Sequence, residues 1–119
     1  MLVSEVIYQT LSPIFSDRVA PHPMPKDYVK SETYVTYQGI SEDPLNTVKT
    51  WTGYELKRVQ VNIYNHDNIQ CERDALSVKA ALCNQKLSSC VLIASREGGM
   101  DEDTQLYQYQ CDFEIWQNI

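Results

Sequence analysis

The sequence contains two histidines, His22 and His66, whose imidazoles could bind a metal or carry a proton near neutral pH. A transition-metal site needs a third and usually a fourth ligand at a workable spacing. His22 instead lies between two prolines, and His66 lies in a turn before a segment with helical spacing. We therefore expect both histidines to be structural or solvated, and we expect no metal site.

The four cysteines form neither a CxxC pair nor a zinc-binding spacing. The first residues, MLVSEVIYQTL, contain Glu5 and lack the basic region and small-residue cleavage site of an export signal. Outside an oxidising compartment, disulfides are rare. We interpret the cysteines as reduced, small, core-facing residues. They are Cys71, Cys83, Cys90 and Cys111.

An acidic segment and a glycine pair are the remaining patterns that could bind an ion or a phosphate. The acids Asp101 to Asp103 follow Gly98-Gly99, whereas an EF-hand alternates oxygen ligands around a central glycine and ends on glutamate. A phosphate-binding loop needs more glycines and a following helix. No nucleophile is spaced with a general base. The pattern predicts a solvated turn, no cofactor and no enzymatic activity.

Length and charge limit the function further. A chain of 119 residues fits one domain spanning 1–119. Sixteen acidic residues against ten basic ones give a net charge of −6, which argues against sequence-specific nucleic-acid binding and against docking on an anionic membrane. No stretch approaches about 20 apolar residues, so no membrane span is expected.

The first half of the chain predicts a helix, an extended arm, a strand and a loop. Leu2 to Leu11 has apolar residues at helical spacing, and Ser12-Pro13 predicts the end of that helix. Arg18 to Asp27 has three prolines in five residues and predicts an extended arm that crosses the surface without joining a sheet. Thr33 to Ser41 is β-branched and aromatic and predicts a strand. Glu42 to Glu55 has turn signals near both ends and predicts a long loop.

A strand and a helix are predicted next. Val59, Val61 and Ile63 alternate with polar residues, as in a half-buried strand. Asp67 is placed to cap a helix that runs to about Cys83, with Gln70 as the returning side chain of a capping box. The residues expected to be buried on this helix are Cys71, Ala75, Val78 and Leu82.

Two further strands close the chain. Cys90 to Ser95 is an apolar run that predicts a central strand, and Arg96 to Asp103 predicts a turn. Gln105 to Gln117 predicts the last strand, with Tyr107, Tyr109, Cys111, Phe113 and Ile115 on its apolar face. The order α-β-β-α-β-β predicts an α+β fold in which a four-stranded, mainly antiparallel sheet has two helices packed on one face.

Projecting segments of this sandwich are the candidates for interaction. Trp51 lies among polar residues in the predicted loop, where it is either an interface anchor or locally packed. The apolar chain end around Trp116 and Ile119 is expected to dock on the helices of its own domain and to reach a neighbouring subunit. The residues predicted at interfaces are Pro21, Pro23, Tyr28, Pro44, Leu45, Trp51, Tyr54 and Trp116.

Five stretches occur in an order that matches a known family: VIYQTLSPIFSDRVAPHPMP, YVTYQGIS, RVQVNIYNHD, ERDALSVKAAL and DTQLYQYQCDFEIW. The P-L-N-T segment after the first strand and the closing pattern Y-x-x-x-x-D-F-x-I-W belong to the same match. The chain resembles, over essentially its whole length, the tail completion (tail terminator) proteins of long-tailed bacteriophages. This family was formerly described as a domain of unknown function.

The resemblance implies an α/β fold of this kind without catalytic residues. It implies a hexameric ring at the head-proximal end of a phage or prophage tail, where the ring stops tube polymerisation. The expected partners are other copies of the chain, the tail-tube protein and the head connector or neck proteins. The protein would be found in the virion and, during assembly, in the host cytoplasm.

Other functions stay open at this point. A head–tail neck or closure component and a tail-tube subunit are alternatives within virion assembly. A non-viral, small-molecule-binding α+β domain is an alternative of another class, and a concave apolar pocket with convergent polar groups would favour it. An acidic ring would also repel the phosphates of DNA passing through it, which suits a channel that must not retain DNA.

Overall fold

The computed structural model describes residues 1–23, 32–46 and 50–118. In chain order these form α1 (Val3–Phe15), β1 (Val19–Pro21), β2 (Tyr34–Asn46), β3 (Trp51–Asn65), α2 (Asn68–Asn84), β4 (Cys90–Met100) and β5 (Tyr107–Asn118).

The strands form one sheet with the order β1-β2-β3-β5-β4. β1 is parallel to β2, and the other neighbouring pairs are antiparallel. Both helices share a core with the same face of the sheet. The predicted α+β class, its two helices and its hairpins β2–β3 and β5–β4 are confirmed. The prediction of four strands is wrong, because β1 adds a fifth strand and makes the sheet mixed.

The core lies between the helices and the inward residues of the middle strands. Val59 and Phe113 are register partners on β3 and β5, and both are buried. On α2, the four buried residues are those that the helical spacing predicted. Burial of apolar surface at about 25 cal/mol per Å² is the main term that holds the two layers together.

β1 forms because the start of the proline-containing arm lies beside β2. Val19 pairs with Val35 and is 4% exposed, so the arm buries apolar surface where it joins the sheet. Pro21 is tolerated because β1 is an edge strand and needs no donor on its outer side. The prediction that Arg18 to Asp27 stays outside the sheet is therefore wrong for Val19–Pro21. Residues 24–27 lie outside the described residues.

α1 continues past the predicted end at Ser12-Pro13, which is a further correction. Pro13 lies within the last turn, where it cannot donate a helical hydrogen bond. Burial of Phe15, which is 3% exposed, stabilises this turn nonetheless. The helix ends at Ser16, whose φ of 50° is left-handed, and the Asp17 amide donates to the Ser12 carbonyl at 3.0 Å.

β2 and β3 form a long hairpin where Glu42 to Glu55 was predicted to be a loop. Both strands continue because cross-strand pairs form along them, including Lys57 and Glu42, whose Nζ and carboxylate oxygen lie 3.4 Å apart. Pro44 fits in a strand here because, among the described residues, the pairing of β2 with β1 ends at Tyr37. Its missing N–H therefore falls on an edge strand.

β4 is an edge strand and not the central strand that its apolar run predicted. β5 takes the inner position between β3 and β4. β4 also continues to Met100 through most of the predicted turn, so that the turn occupies residues 101–106. Gly99 has a φ of 76° at an irregularity in this strand, where a residue with a Cβ would be strained.

The start of α2 confirms one half of the predicted capping box. The Asp67 carboxylate accepts a hydrogen bond from the Ile69 amide at 3.1 Å. Gln70 was predicted to reach back to the cap, but its side-chain amide donates to Asp74 at 3.0 Å. A single capping interaction therefore replaces the reciprocal pair.

Candidate assembly surface

The sheet has one face that carries neither α1 nor α2, here called the helix-free face. Strand alternation places Val59 and Val61 toward the helices and Arg58, Gln60 and Asn62 on the helix-free face. This face is not uniformly polar. Its apolar and charged parts adjoin each other, since Val91 and Arg58 both pair with Glu114.

The apolar part of the helix-free face is a set of five side chains, called the sheet row below. Leu45 pairs with Tyr54, and Leu56 pairs with Trp116, near the tip of the β2–β3 hairpin. Val91 lies on β4, so the sheet row crosses four strands. Leu45, Tyr54 and Val91 are 49%, 48% and 55% exposed, which makes this an accessible apolar surface.

Three of the predicted interface residues, Leu45, Tyr54 and Trp116, thus come together in the sheet row. The prediction that they contact a partner stays a prediction. Pro44 lies next to Leu45, and alternation places its side chain on the other side of the hairpin. Trp51 pairs with Asn46 by its backbone, and its side chain is outside the described part of the structure.

The remaining predicted interface residues do not reach the sheet row. Pro21 and Pro23 are exposed at the end of β1, where Pro21 pairs with Tyr37, eight residues before Leu45 of the sheet row on β2. Pro21 lines an open cavity of about 330 Å³ with the start of α1 and with Lys57. Tyr28 lies outside the described residues.

The charged part of the helix-free face centres on Asp112. One carboxylate oxygen of Asp112, Oδ2, accepts hydrogen bonds from Arg58 at 3.1 Å and from Arg96 at 3.4 Å. The Asp112 side chain is 6% exposed, whereas those of Arg58 and Arg96 are 39% and 47% exposed. Two partly solvated guanidinium groups therefore compensate one buried carboxylate.

A neutral hydrogen-bond network continues from this ion cluster toward the start of β5. The Gln108 side-chain amide donates to Asn62 and to the Tyr64 hydroxyl, each at 3.3 Å. The Asn62 amide donates in turn to Thr36 at 3.5 Å. Burial raises the pKa of Tyr64. The network satisfies buried polar groups and stiffens the face.

The chain end lies against the first turn of α1. The Gln117 side chain accepts a hydrogen bond from the Val3 amide at 3.1 Å, and the Met1 nitrogen donates to the Asn118 carbonyl at 3.1 Å. Ile115 is fully buried in the core. These contacts agree with the prediction that this end docks on the domain's own helix, but the prediction is wrong for Trp116, whose pairing with Leu56 places it on the helix-free face. Ile119 lies outside the described residues.

The side chains considered for catalysis or metal binding lie apart. His22 and His66 are both exposed, at the end of β1 and before α2. Within residues 1–23, 32–46 and 50–118, no three His, Cys, Asp or Glu side chains are grouped so that they could hold a metal ion. None of the helices described is long and apolar enough to cross a membrane.

The cysteines differ in their surroundings more than predicted. Cys71 and Cys111 are buried, and burial raises their pKa to about 12 and about 11. Burial also raises the pKa of Cys90 to about 12, and smaller causes are repulsion from the charge of the neighbouring Cys83 and a hydrogen bond to the Cys83 sulfur. Cys83 is exposed at the end of α2, so the expectation of four core-facing cysteines is wrong for this residue.

The fold is shared with a component of a phage-like particle. The chain superposes on a chain of a structure titled "Virion of native gene transfer agent (GTA) particle" with a TM-score of 0.71 and 11% sequence identity. The match covers 98% of this chain and 95% of the other. At this identity the similarity establishes a common fold. No family model matches the sequence, and no curated protein is significantly similar to it.

Sequence reasoning missed the Arg58–Asp112–Arg96 cluster. Its three members come from β3, β5 and β4 and meet only in the observed register, because Asp112 pairs with Gln60 and Ala94. The polar alternation of β5 was visible in the sequence. That alternation places Asp112 on the polar face of β5, and the structure shows that its neighbours bury it.

Proposed function

We propose that this chain is a structural protein of a phage-like virion, and in particular a tail completion protein that caps the head-proximal end of the tail tube. The observation that carries the proposal is the whole-length match to a chain of a gene transfer agent virion, with a TM-score of 0.71. The match covers nearly all of both chains. Such a match fits a shared role better than a match to a single motif would. The resemblance of the sequence to tail completion proteins supports the same assignment.

The surface properties support assembly over small-molecule binding. Ligand sites are usually concave and mostly apolar, with a few convergent polar groups. One cavity among the described residues, of about 390 Å³, is instead open and lined mainly by polar groups, and another, of about 330 Å³, is open with polar and apolar lining in similar amounts. The accessible sheet row is apolar and suits contact with another protein.

In the proposed assembly, copies of the chain form a ring, most simply a hexamer, in contact with the tail-tube protein on one side. The opposite side of the ring contacts the head connector or neck proteins. A neck component or a tube subunit is the alternative within virion assembly. The three roles differ in what the protein does to a growing tube.

The proposal is tested by adding the purified protein to polymerising tail-tube protein from the same phage or prophage. A completion protein shortens the tubes as its ratio to tube protein rises, and it then remains bound at one end. A neck component leaves tube length unchanged, and a tube subunit elongates by itself. Unchanged tube lengths across a hundredfold range of added protein would overturn the proposed role.

A further inference from the structure

α2 carries a second apolar surface that its buried stripe does not explain. The set called the helix stripe below follows α2 at steps of four and three residues. Its members are Ile69, Arg73, Leu76, Ala80 and Cys83. Ile69 and Leu76 are 59% and 64% exposed, and the other members are exposed as well. An ordinary surface helix would have polar residues at these positions.

The helix stripe and the sheet row lie on opposite sides of the molecule. At 100° per residue, the helix stripe is centred about 150° from the buried residues of α2, Cys71, Ala75, Val78 and Leu82. Those buried residues face the sheet, so the helix stripe faces away from it. The sheet row lies on the far face of the same sheet. One subunit therefore has two accessible apolar surfaces that point in opposite directions.

We propose that the sheet row of one copy packs against the helix stripe of the next copy. The inference rests on the proposed ring and names the surfaces that would build it. Two different surfaces on opposite sides generate head-to-tail association, which closes into a ring when the rotation between copies allows it. A single surface used by both partners would instead stop at a dimer.

The two surfaces match in length. From Ile69 to Cys83 the helix stripe spans 14 residue steps, or about 21 Å at 1.5 Å per residue. The sheet row crosses from β2 through β3 and β5 to β4, or three strand spacings of about 4.8 Å, and its side chains extend it further. A helix laid across the strands can therefore contact most of the row.

Charge favours contact between unlike surfaces. Alternation places Asp43 and Glu114 on the helix-free face, where they border Leu56 and Val91 of the sheet row. The helix stripe contains Arg73, which is exposed. Arg58 is the register partner of Glu114, whereas Asp43 pairs with Leu56, so two sheet rows in contact would bring Asp43 carboxylates together without a basic register partner. Head-to-tail contact places Arg73 near the carboxylates of the neighbouring copy.

Two variants test the pairing of the surfaces, each with one surface damaged. Leu76→Asp adds a charge to the helix stripe, and Leu45→Asp adds one to the sheet row. Self-association of each variant is measured by sedimentation at concentrations where the wild-type protein associates in solution or on tubes. Each substitution alone should weaken self-association at least tenfold relative to the wild-type protein. An equimolar mixture should form one-to-one dimers and nothing larger, because each variant keeps one intact surface.

Ile14→Asp is the matched control, since Ile14 is an exposed apolar residue of α1 that belongs to neither surface. Thermal unfolding checks that all three variants fold, and Ile69→Asp and Val91→Asp replace any variant that does not. A mixture that contains no heterodimer, or wild-type association that neither substitution weakens, would overturn the pairing. Wild-type protein that stays monomeric at millimolar concentration and also on tubes would overturn it too.

The outcomes separate this inference from the proposed function. Heterodimers in the mixture without any effect of the wild-type protein on tubes would support the surfaces and contradict the tail role. Tube capping that both variants retain in full would support the tail role and contradict the surfaces.

Discussion

Asp112 on β5 accepts a hydrogen bond from Arg58 on β3 at 3.1 Å, across the helix-free face of the sheet. The carboxylate is 6% exposed although no helix covers it. Its neighbours on the adjacent strands therefore provide the burial. This pair fixes the charged centre of the face whose apolar margin is proposed to bind the next subunit.

Asp112→Asn is predicted to lower the free energy of unfolding by about 1–2 kcal/mol, because it removes a buried charge that two arginines compensate. The figure allows for the solvent that screens Arg58 and Arg96, which are 39% and 47% exposed. Urea unfolding measures the change. Glu114→Gln on the same strand face is the control and should change stability by less than about 0.5 kcal/mol. An unchanged urea midpoint for Asp112→Asn would contradict the assigned role.

Phe113→Ala is predicted to lower the free energy of unfolding by about 3–5 kcal/mol, because it leaves a cavity between β5 and the helices. Phe113 is fully buried. Val91→Ala is the matched control, since Val91 lies beside the register partner of Phe113 but is 55% exposed. It should cost less than about 0.5 kcal/mol. Equal effects of the two substitutions on chemical denaturation would show that the core is placed wrongly.

Glu72 is predicted to titrate above its ordinary pKa because of the neighbouring Glu97 side chain. A hydrogen bond with the Glu97 carboxyl, and secondly repulsion from its charge, raise the pKa of Glu72 above its ordinary value. Because the pKa of Glu72 is raised in the folded state, protonation of Glu72 stabilises the fold. This stabilisation is complete below the ordinary pKa of Glu72 and is lost as the pH rises through the folded-state pKa. Glu97→Gln should therefore lower the pKa of Glu72. The variant should become more stable relative to the wild-type protein only above the pH range between the ordinary and the folded-state pKa of Glu72.

Carbon-13 NMR of the Glu72 carboxyl group measures this pKa, and thermal unfolding at several pH values measures the stability. Glu102→Gln in the exposed turn is the control and should move neither. If Glu72 titrates identically with and without the Glu97 carboxylate, the two groups do not interact as described.

Cys83 is predicted to be the thiol that reacts first with a disulfide reagent such as dithionitrobenzoate in the native protein. It is exposed, whereas burial keeps Cys71, Cys90 and Cys111 protonated until about pH 11–12. At pH 8 one thiol should react rapidly and three only on unfolding. Cys83→Ser should abolish the fast phase, and a fast phase that survives this substitution would contradict the assignment.

The parts of the fold that could be predicted are those in which local periodicity and burial agree. The inward residues of α2 follow from steps of three and four, and those of β3 and β5 follow from strict alternation. The hairpin tip was predicted as a loop because Pro44 and Gly53 are turn formers in isolation. Pairing between β2 and β3 overrides that preference.

The candidate site was less predictable because it depends on register. Leu45, Tyr54 and Trp116 were individually suspected, but only the alignment of β2, β3 and β5 places them in one row. The helix stripe could have been found, since Ile69, Leu76, Ala80 and Cys83 have helical spacing in the sequence. It was overlooked because the buried stripe of the same helix already explained the apolar residues of α2.

The most direct test of the proposed role is electron microscopy of purified tail tubes mixed with the purified protein. A tail completion protein should add density at one end of each tube, with the symmetry of a ring and no density along the sides. Tubes that remain intact, with bare ends at saturating protein, would contradict it.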